Sequence, residues 1–187
     1  MKNFLNLALQ IIPVMIGVYL GFVISNWDQN RKNQQQVDAF IANILTEIED
    51  NAAKIERVLD YHIMLSDSSA YYLLLPPEKL EKPSFFRGIQ MPRLMNSAFL
   101  TGVQTGILND LPVHKIQALN QLYSFQDIYN DLNNMFISGL LNMNFTSNPD
   151  DLYRIATFIN TTMNDVIELE HGLLEFYSVG KTRLTEG

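Results

Sequence analysis

The chain has 187 residues, no cysteine and a formal net charge of −7. This length is typical of one ordinary domain, and the lack of cysteine excludes disulfides, thiolate metal sites and cysteine catalysis. The acidic balance argues against nucleic-acid binding, which needs a basic face for the phosphates, and against a protein that lies flat on anionic lipid.

An uncharged, mostly apolar run from Leu5 to Ile24 lies near the start of the chain. A helix of about twenty residues spans about 30 Å, the thickness of the hydrocarbon core of a bilayer. Pro13 is tolerated in a membrane helix, and Trp27 lies where an interfacial aromatic residue would anchor that helix. We therefore predict that residues 1–27 form an N-terminal membrane anchor, a single transmembrane helix.

Two alternatives to a retained anchor are a cleaved signal peptide and a buried helix of a soluble protein. A signal peptide has a shorter apolar region, about 7–15 residues, before small residues at the cleavage site, whereas this run continues into Ser25 and Asn26. A buried helix is less favoured because no later segment is as apolar. Charge leaves the orientation open, because the α-amine and Lys2 on one side are balanced by Arg31 and Lys32 on the other.

Small residues recur at four-residue intervals inside the apolar run, at Gly17, Gly21 and Ser25. This spacing places them on one face of a helix, where they allow another membrane helix to approach closely. The alternative is that glycine is merely tolerated, since it is frequent in membrane helices. We favour a membrane-helix packing face.

A long helix is predicted to follow the anchor, because no glycine or proline occurs between Phe22 and Leu75. Apolar residues recur every seven positions along this stretch and form a broad stripe. The stripe contains Val37, Ile41, Ile44, Leu45, Ile48, Asn51, Ala52, Ile55, Val58, Leu59 and His62. Such a stripe favours a bundle helix, which we expect to leave the membrane without a break and to end near residue 73.

Proline and glycine divide the middle of the chain. Residues 76–92 are predicted to form a loop, after which a short helix begins at Asn96 or Ser97, either of which could cap it. A turn at residues 109–112 precedes a third helix. That helix has Pro112 in its first turn and ends near residue 143.

The last helix is predicted to begin at Pro149, after an N-cap at Ser147 or Asn148, and to end near Tyr177. Residues 180–187 are predicted to form a polar C-terminal tail. The fold class is therefore all-α. The transmembrane helix continues into the long helix of an up-and-down helical bundle of three to four helices, which occupies residues 28–179 outside the membrane.

Residues with metal-ligand or hydrogen-bonding chemistry are few. Glu168 and His171 have the Glu-x-x-His spacing of di-iron bundles, but those bundles need a second such motif and two more inward glutamates. We interpret this pair as solvent-facing. His62 is interpreted as a core or boundary histidine rather than a ligand. Asn51, on the same stripe, either fixes the register of the bundle or lies at a solvated edge.

No catalytic pattern is present in the sequence. Glu47, Glu49 and Asp50 are interpreted as a solvated helix face. Neither a G-x-S-x-G motif, a P-loop nor a dinucleotide-binding fingerprint occurs. We therefore predict that the protein is not an enzyme and has no catalytic residues, no metal site, no cofactor-binding residues and no cofactor.

Two aromatic clusters flank the first long loop, Tyr71 with Tyr72 and Phe85 with Phe86. A straight first helix would place this loop at the end of the bundle that is far from the membrane. Apolar groups there either plug the bundle end or contact a partner, and plugging is favoured because exposed aromatic patches are the exception on monomers. These four residues are a candidate partner-contact loop.

Two segments resemble a known protein family, "IGVYLGFVISNWDQNRKNQQQ" and "NSAFLTGVQTGILNDLPVHKIQALNQLYS". The resemblance is to a large family of small membrane proteins from Bacteroidota, the DUF6090 type. The matching positions are Asn26, Trp27, Arg31, Lys32, Phe99, Gly106, Ile107, Leu108, Leu119, Leu122 and Tyr123. The resemblance implies a single pass through the bacterial inner membrane, with the N-terminus cytoplasmic and the helical domain periplasmic. It implies no activity.

These features favour a non-enzymatic accessory or scaffold subunit of an inner-membrane complex. Its expected partners are membrane protein subunits or a second copy, reached through the transmembrane helix, together with the lipid bilayer and no nucleic acid. The alternative is a periplasmic bundle that senses a small ligand and signals through a partner membrane protein. A metal-dependent bundle oxidase is a third hypothesis.

Overall fold

The computed structural model describes the backbone of residues 2–186 and the side chains of residues 12–186. Four α-helices account for most of that chain, and no strand occurs within it: α1 (Lys2–Tyr72), α2 (Ser97–Thr105), α3 (Val113–Leu141) and α4 (Pro149–Thr185). Short 3-10 helices lie at Pro77–Lys79 and Ile107–Asp110. The predicted all-helical bundle is confirmed.

Helix α1 is continuous over 71 residues, which corresponds to a length of about 105 Å. The prediction of one unbroken helix is therefore confirmed. Its buried side chains begin at Phe40 and follow the predicted stripe, with Ile44, Ile48 and Ile55 almost fully buried. As far as its side chains are described, the part of α1 that precedes Val37 thus projects beyond the bundle core.

The two other long helices run in opposite directions relative to α1: α4 packs against it, and α3 packs on α4 and is joined to α1 by side-chain hydrogen bonds. Helix α4 runs antiparallel to α1, since Lys181 pairs with Glu49 near one end of the bundle and the Tyr153 hydroxyl donates to the Leu75 carbonyl at the other. Helix α3 runs parallel to α1: Tyr123 bonds to Glu47, and three residues later Gln126 bonds to Asn51. The chain must therefore travel back along the bundle between α1 and α3.

An extended segment at residues 80–96, here called the strap, makes most of that return. Side chains of α1 and α3 hold its backbone. The Tyr61 hydroxyl donates to the Gly88 carbonyl (2.7 Å), and the Asn130 amide bonds both the N–H (3.0 Å) and the carbonyl (3.2 Å) of Leu94. Apart from the 3-10 helix at Pro77–Lys79, the predicted loop is thus irregular, but it runs along the bundle instead of standing at its end.

Helix α4 begins as predicted and ends later than predicted. The Asn148 side chain accepts a hydrogen bond from the Asp150 N–H (3.1 Å), with Pro149 at the first helical position. The helix then continues to Thr185, and Leu184 is buried. The predicted polar tail at 180–187 is therefore wrong for most of its length. The helix continues because it packs on α3, where Gly180 leaves room for a methyl group of Leu122.

The predicted transmembrane span lies only partly within the described side chains. Residues 5–11 of that span are outside them. Among the residues that the structure describes, no helix combines the length and apolarity needed to cross a membrane.

Helix α2 packs closely on α1, and this contact gives a testable prediction. A Cβ atom on Gly102 would lie 2.3 Å from the Phe40 ring. We expect Gly102→Ala to lower the free energy of unfolding by about 1–3 kcal/mol, because the ring must move out of its packed position. Thermal or denaturant unfolding followed by circular dichroism measures this. Gln104→Ala, at an exposed position of the same helix, is the control, and an equal effect of both changes would contradict the prediction.

Candidate functional site

The projecting segment of α1, residues 12–27, is apolar and uncovered. Every large apolar side chain in it is exposed, and Val23 is the least exposed at 44%. At Gly17 and Gly21 an added Cβ would meet nothing within 4 Å, and Ser25 is also exposed. The predicted packing face is thus unoccupied by the rest of the described chain.

Charged side chains follow immediately after this apolar segment. Trp27 is 65% exposed, and the Arg31 guanidinium lies 5.6 Å from the centre of its ring. Arg31 and Lys32 both approach the carboxylate of Asp28, at 3.7 and 2.7 Å. An apolar segment that ends in an aromatic residue and a charged turn has the composition of a membrane–water boundary.

The four aromatic residues of the candidate partner-contact loop divide between core and surface. Tyr72 is buried and packs edge-on against Phe85, with 5.9 Å between the ring centres. Phe85 and Phe86 are half-buried at the start of the strap and pack against the core. Tyr71, at 67% exposure, is the member of the set that faces solvent.

A groove lies between α1 and α2, at the end of the bundle from which the apolar segment projects. Its volume is about 760 Å³, and Phe40 lies in its floor. One wall is a row of α1 side chains from Gln36 to Asp50, and the other is formed by α2 and the following 3-10 helix up to Asp110. Among residues 12–186, no lysine, arginine or histidine lines this groove.

A buried carboxylate on α1 holds α2 in place beside this groove. Glu47 is 5% exposed and accepts hydrogen bonds from the Tyr123 hydroxyl (2.7 Å), the Ser97 hydroxyl (2.8 Å) and the Ala98 N–H (2.8 Å). A carboxylate at a helix N-terminus satisfies free N–H groups and interacts favourably with the helix dipole. The interpretation of Glu47 as solvated is therefore wrong: it caps α2 from another helix, where Asn96 makes no side-chain cap.

Asn51 and Gln126 form a second buried contact with the strap. The Asn51 side chain bonds both the N–H (2.9 Å) and the carbonyl (2.7 Å) of Met95. Gln126 donates to the same carbonyl (2.8 Å) and accepts from the Tyr177 hydroxyl (2.8 Å). Asn51 is fully buried, so it does not lie at a solvated edge; it binds the backbone of the strap, and its role in the register of the bundle stays a prediction.

His62 and Glu170 form a fully buried pair in the centre of the bundle. The Nδ1 atom of His62 lies 2.9 Å from a Glu170 carboxylate oxygen, and its Nε2 atom lies 3.0 Å from the Ile89 carbonyl of the strap. The Tyr129 hydroxyl donates to the same carboxylate (2.9 Å). Because a carbonyl only accepts, Nε2 carries a proton, and a second proton lies between Nδ1 and the carboxylate. The pair as a whole is uncharged.

His62 is therefore a core residue, as predicted, and Glu170 explains how the core tolerates it. The sequence did contain a signal for Glu170, which lies between Val166 and Leu173 on the apolar stripe of α4. Glu168 and His171 are both exposed. Within residues 12–186 no group of three or more histidine, aspartate and glutamate side chains is arranged to hold a metal ion.

Three buried tyrosines make the fold sensitive to high pH. Burial raises the pKa of Tyr123, Tyr129 and Tyr177 well above the ordinary value. Glu47 raises the pKa of Tyr123 further and Glu170 that of Tyr129, while at Tyr177 Asn51 lowers the pKa and Glu47 raises it. In the unfolded chain tyrosine loses its proton near pH 10. The stability contributed by these neutral hydroxyls is thus fully present below about pH 10 and is lost as the pH rises further.

We expect the free energy of unfolding to fall above pH 10 by about 1.4 kcal/mol per pH unit for each of these tyrosines, because the unfolded chain releases protons that the folded chain retains. Denaturant unfolding at a series of alkaline pH values measures the slope, and tyrosinate absorbance should appear together with unfolding. Tyr129→Phe should reduce the slope of the unfolding free energy against pH by about 1.4 kcal/mol per pH unit, the contribution of one tyrosine. Titration of all tyrosines in the folded state near pH 10 would contradict the prediction.

Comparisons of the chain with protein-family models, with curated proteins and with solved structures give no match. The resemblance drawn from Asn26, Trp27 and the segment from Asn96 to Ser124 therefore stays a prediction. Three features of the described residues bear on function: an uncovered apolar helix segment, an acidic groove beside it, and a bundle interior in which Glu47, Asn51 and His62 are hydrogen-bonded to other parts of the chain.

Proposed function

We propose that this protein is a non-enzymatic, membrane-anchored accessory or scaffold subunit of an inner-membrane complex. The observation that supports it most is the projecting segment of α1, on which every large apolar side chain from Ile12 to Trp27 is exposed. A helix that is apolar on all sides is stable only when it is buried in protein or in lipid. The described chain supplies no protein cover for it, and the bilayer is the cover that we propose.

The anchor in this proposal is the predicted span from Leu5 to Ile24. Its first part, residues 5–11, lies outside the described side chains, so the apolar length seen from Ile12 onward is only a portion of it. Following the family resemblance, the N-terminus is proposed to be cytoplasmic and the bundle periplasmic.

A scaffold role agrees with the continuity of α1. Because one helix carries both the apolar segment and the core residues from Phe40 onward, a contact made in the membrane is rigidly connected to the bundle outside it. The buried polar groups Glu47, Asn51 and His62 are all used to bind other parts of the same chain. They are therefore explained by the fold, without a reaction.

The anchor can be tested with charges placed in the exposed segment. We expect the double change Ile16→Lys and Leu20→Lys to release the protein from membranes, because each lysine at the centre of a membrane helix costs about 2.5–3.5 kcal/mol. Flotation of cell membranes and alkaline extraction measure the bound fraction. Gln35→Lys, exposed on the same helix beyond the apolar run, should have no effect. A wild-type chain that fails to float with membranes would contradict the anchor.

The packing face can be tested separately from the anchor. We expect Gly17→Leu with Gly21→Leu to break up a complex that survives mild detergent, because the added side chains prevent close helix approach. Both sites are open in the described chain, so the bundle should keep its melting temperature. Ile16→Leu with Val23→Leu alters the opposite face of the helix and is the matched control.

The outcome is measured as the size of the detergent-solubilised complex. Recovery of monomer alone from the wild-type chain counts strongly against a scaffold role. A complex that is unchanged by the glycine substitutions removes the packing face but leaves the anchor. A C-terminal topology reporter decides the orientation, and activity of the reporter on the cytoplasmic side would contradict the periplasmic placement.

A further inference from the structure

The groove between α1 and α2 continues the same face of α1 that carries the small residues. Eighteen residues of α-helix make about five turns, so positions eighteen apart lie in line. Gly21 is therefore aligned with Ala39, and Ser25 with Asn43, both of which line the groove. This relation connects an exposed face in the apolar segment to a concave surface on the bundle.

The shape of the groove suits a helix rather than a small molecule. The α1 wall from Gln36 to Asp50 is about 21 Å long, which corresponds to about four helical turns. The groove is open along its side and is lined by short side chains such as Ala39, Thr46 and Ala98. Short side chains permit two helix axes to approach closely, as they do on the membrane face.

The charge of the groove selects among possible helices. Asp50 and Asp110 are exposed at its rim and form no ion pair within residues 12–186. The third carboxylate, Glu47, is already bound to α2. Because the described lining residues include no basic side chain, the groove attracts positive charge and repels negative charge.

A second copy of the chain is disfavoured as the occupant by the same charges. If two α1 helices packed in parallel through this face, Asp50 of each copy would face Asp50 of the other. Like charges placed together across an interface cost free energy and suppress the wrong partner. A helix from a different protein, with lysine or arginine at this level, has no such penalty.

We propose that the groove between α1 and α2 binds a basic helix of a partner membrane protein, which runs along α1 from the small-residue face and pairs with Asp50 and Asp110. This inference rests on the proposed scaffold function, and it adds the place and the chemistry of the docking contact. Along α1 the groove begins about 14 Å beyond Trp27, and Asp50 lies about 35 Å beyond it, so the groove binds a partner helix that continues well outside the membrane.

Binding is tested on the full chain in detergent micelles at low salt with two labelled helical peptides of equal length. One contains alanine and lysine, and the other contains alanine and glutamate. We expect the lysine peptide to bind and the glutamate peptide not to bind. Reversing both rim charges, Asp50→Lys with Asp110→Lys, should weaken its binding by about tenfold or more. Asp127→Lys, an exposed charge reversal on α3, is the control and should change the affinity less than twofold.

A variant that leaves the charge unchanged distinguishes binding in the groove from non-specific electrostatic binding to an acidic protein. Ala39→Trp should fill the groove and also weaken the binding of the lysine peptide by about tenfold. Equal binding of the two peptides, no binding of either, or equal loss in the Asp127→Lys control would overturn the proposal. So would retention of binding by Ala39→Trp.

The partner itself is sought by a photo-crosslinking residue placed at Thr46 in living cells. A crosslink to a lysine- or arginine-bearing helix that continues outward from a membrane span, lost in Asp50→Lys with Asp110→Lys, is the expected result. A crosslink to a second copy of this chain or to an acidic segment would overturn the proposal. The rim variants should still float with membranes. A chain that binds the lysine peptide but does not float would instead contradict the membrane-anchored function.

Discussion

Replacing His62 with leucine is expected to lower the free energy of unfolding by about 3–5 kcal/mol, because it leaves the buried Glu170 carboxylate without its histidine and with only the Tyr129 hydroxyl as a donor. The Ile89 carbonyl of the strap also loses its donor. Denaturant unfolding followed by circular dichroism, with the protein in a mild detergent, measures the change. This position should be among the most sensitive in the bundle.

Two further substitutions at the same pair test the physical reason. In Glu170→Gln the amide can donate to Nδ1 of His62 and accept from the Tyr129 hydroxyl, while Nε2 still donates to Ile89. We expect this change to cost only about 1 kcal/mol.

The double change His62→Leu with Glu170→Leu should cost less than the two single changes added together, by about 2 kcal/mol or more, because it removes both members of the pair. Additive effects would show that the two side chains do not interact. A Glu170→Gln variant as unstable as His62→Leu would refute the hydrogen-bond arrangement described for the pair.

Replacing Glu47 with leucine is the second change with a large expected effect, a loss of about 3 kcal/mol. It removes the acceptor for the buried Tyr123 hydroxyl and for the N–H of Ala98 at the start of α2, and each unpaired buried group costs about 1–3 kcal/mol. Glu47→Gln keeps one acceptor oxygen and should cost about 1 kcal/mol, chiefly through the lost charge.

A local measurement distinguishes a detached α2 from a generally weaker bundle. Amide hydrogen exchange in residues 97–105 should become much faster in Glu47→Leu than in the core of α3 and α4, because Glu47 is the group that caps α2. The same variant should bind the lysine peptide more weakly, since α2 forms one wall of the groove. Uniform loss of protection across the whole chain would contradict a local role for Glu47.

The helices of this protein are largely determined by local sequence. The apolar stripe from Val37 to His62, which repeats every seven residues, specifies α1. Such a stripe lies on one face of a helix whichever part of the chain later packs against it. Asn148 and Pro149 specify the start of α4, since a cap acts on the N–H groups of its own helix. The all-helical class and the starts of α2 and α4 could therefore be predicted.

The missed features depend on residues that are distant in sequence. Glu47 caps a helix that begins 50 residues later, and Glu170 pairs with a histidine 108 residues away. A glutamate on or near an apolar stripe is normally placed at a solvated edge, because burying an unpaired charge is costly. The cost of burying the glutamate is offset only when folding brings a hydrogen-bonding partner to it.

The sequence by itself therefore determined the helices, their starts and the apolar segment that we propose as an anchor, because each depends on neighbours a few positions away. The tertiary structure decided that α3 runs parallel to α1 and that the strap fills the space between them. It also decided that α2 stands beside α1 and leaves the acidic groove. These features follow from side-chain bonds to a distant backbone, and their free energy exists only when the whole bundle has formed.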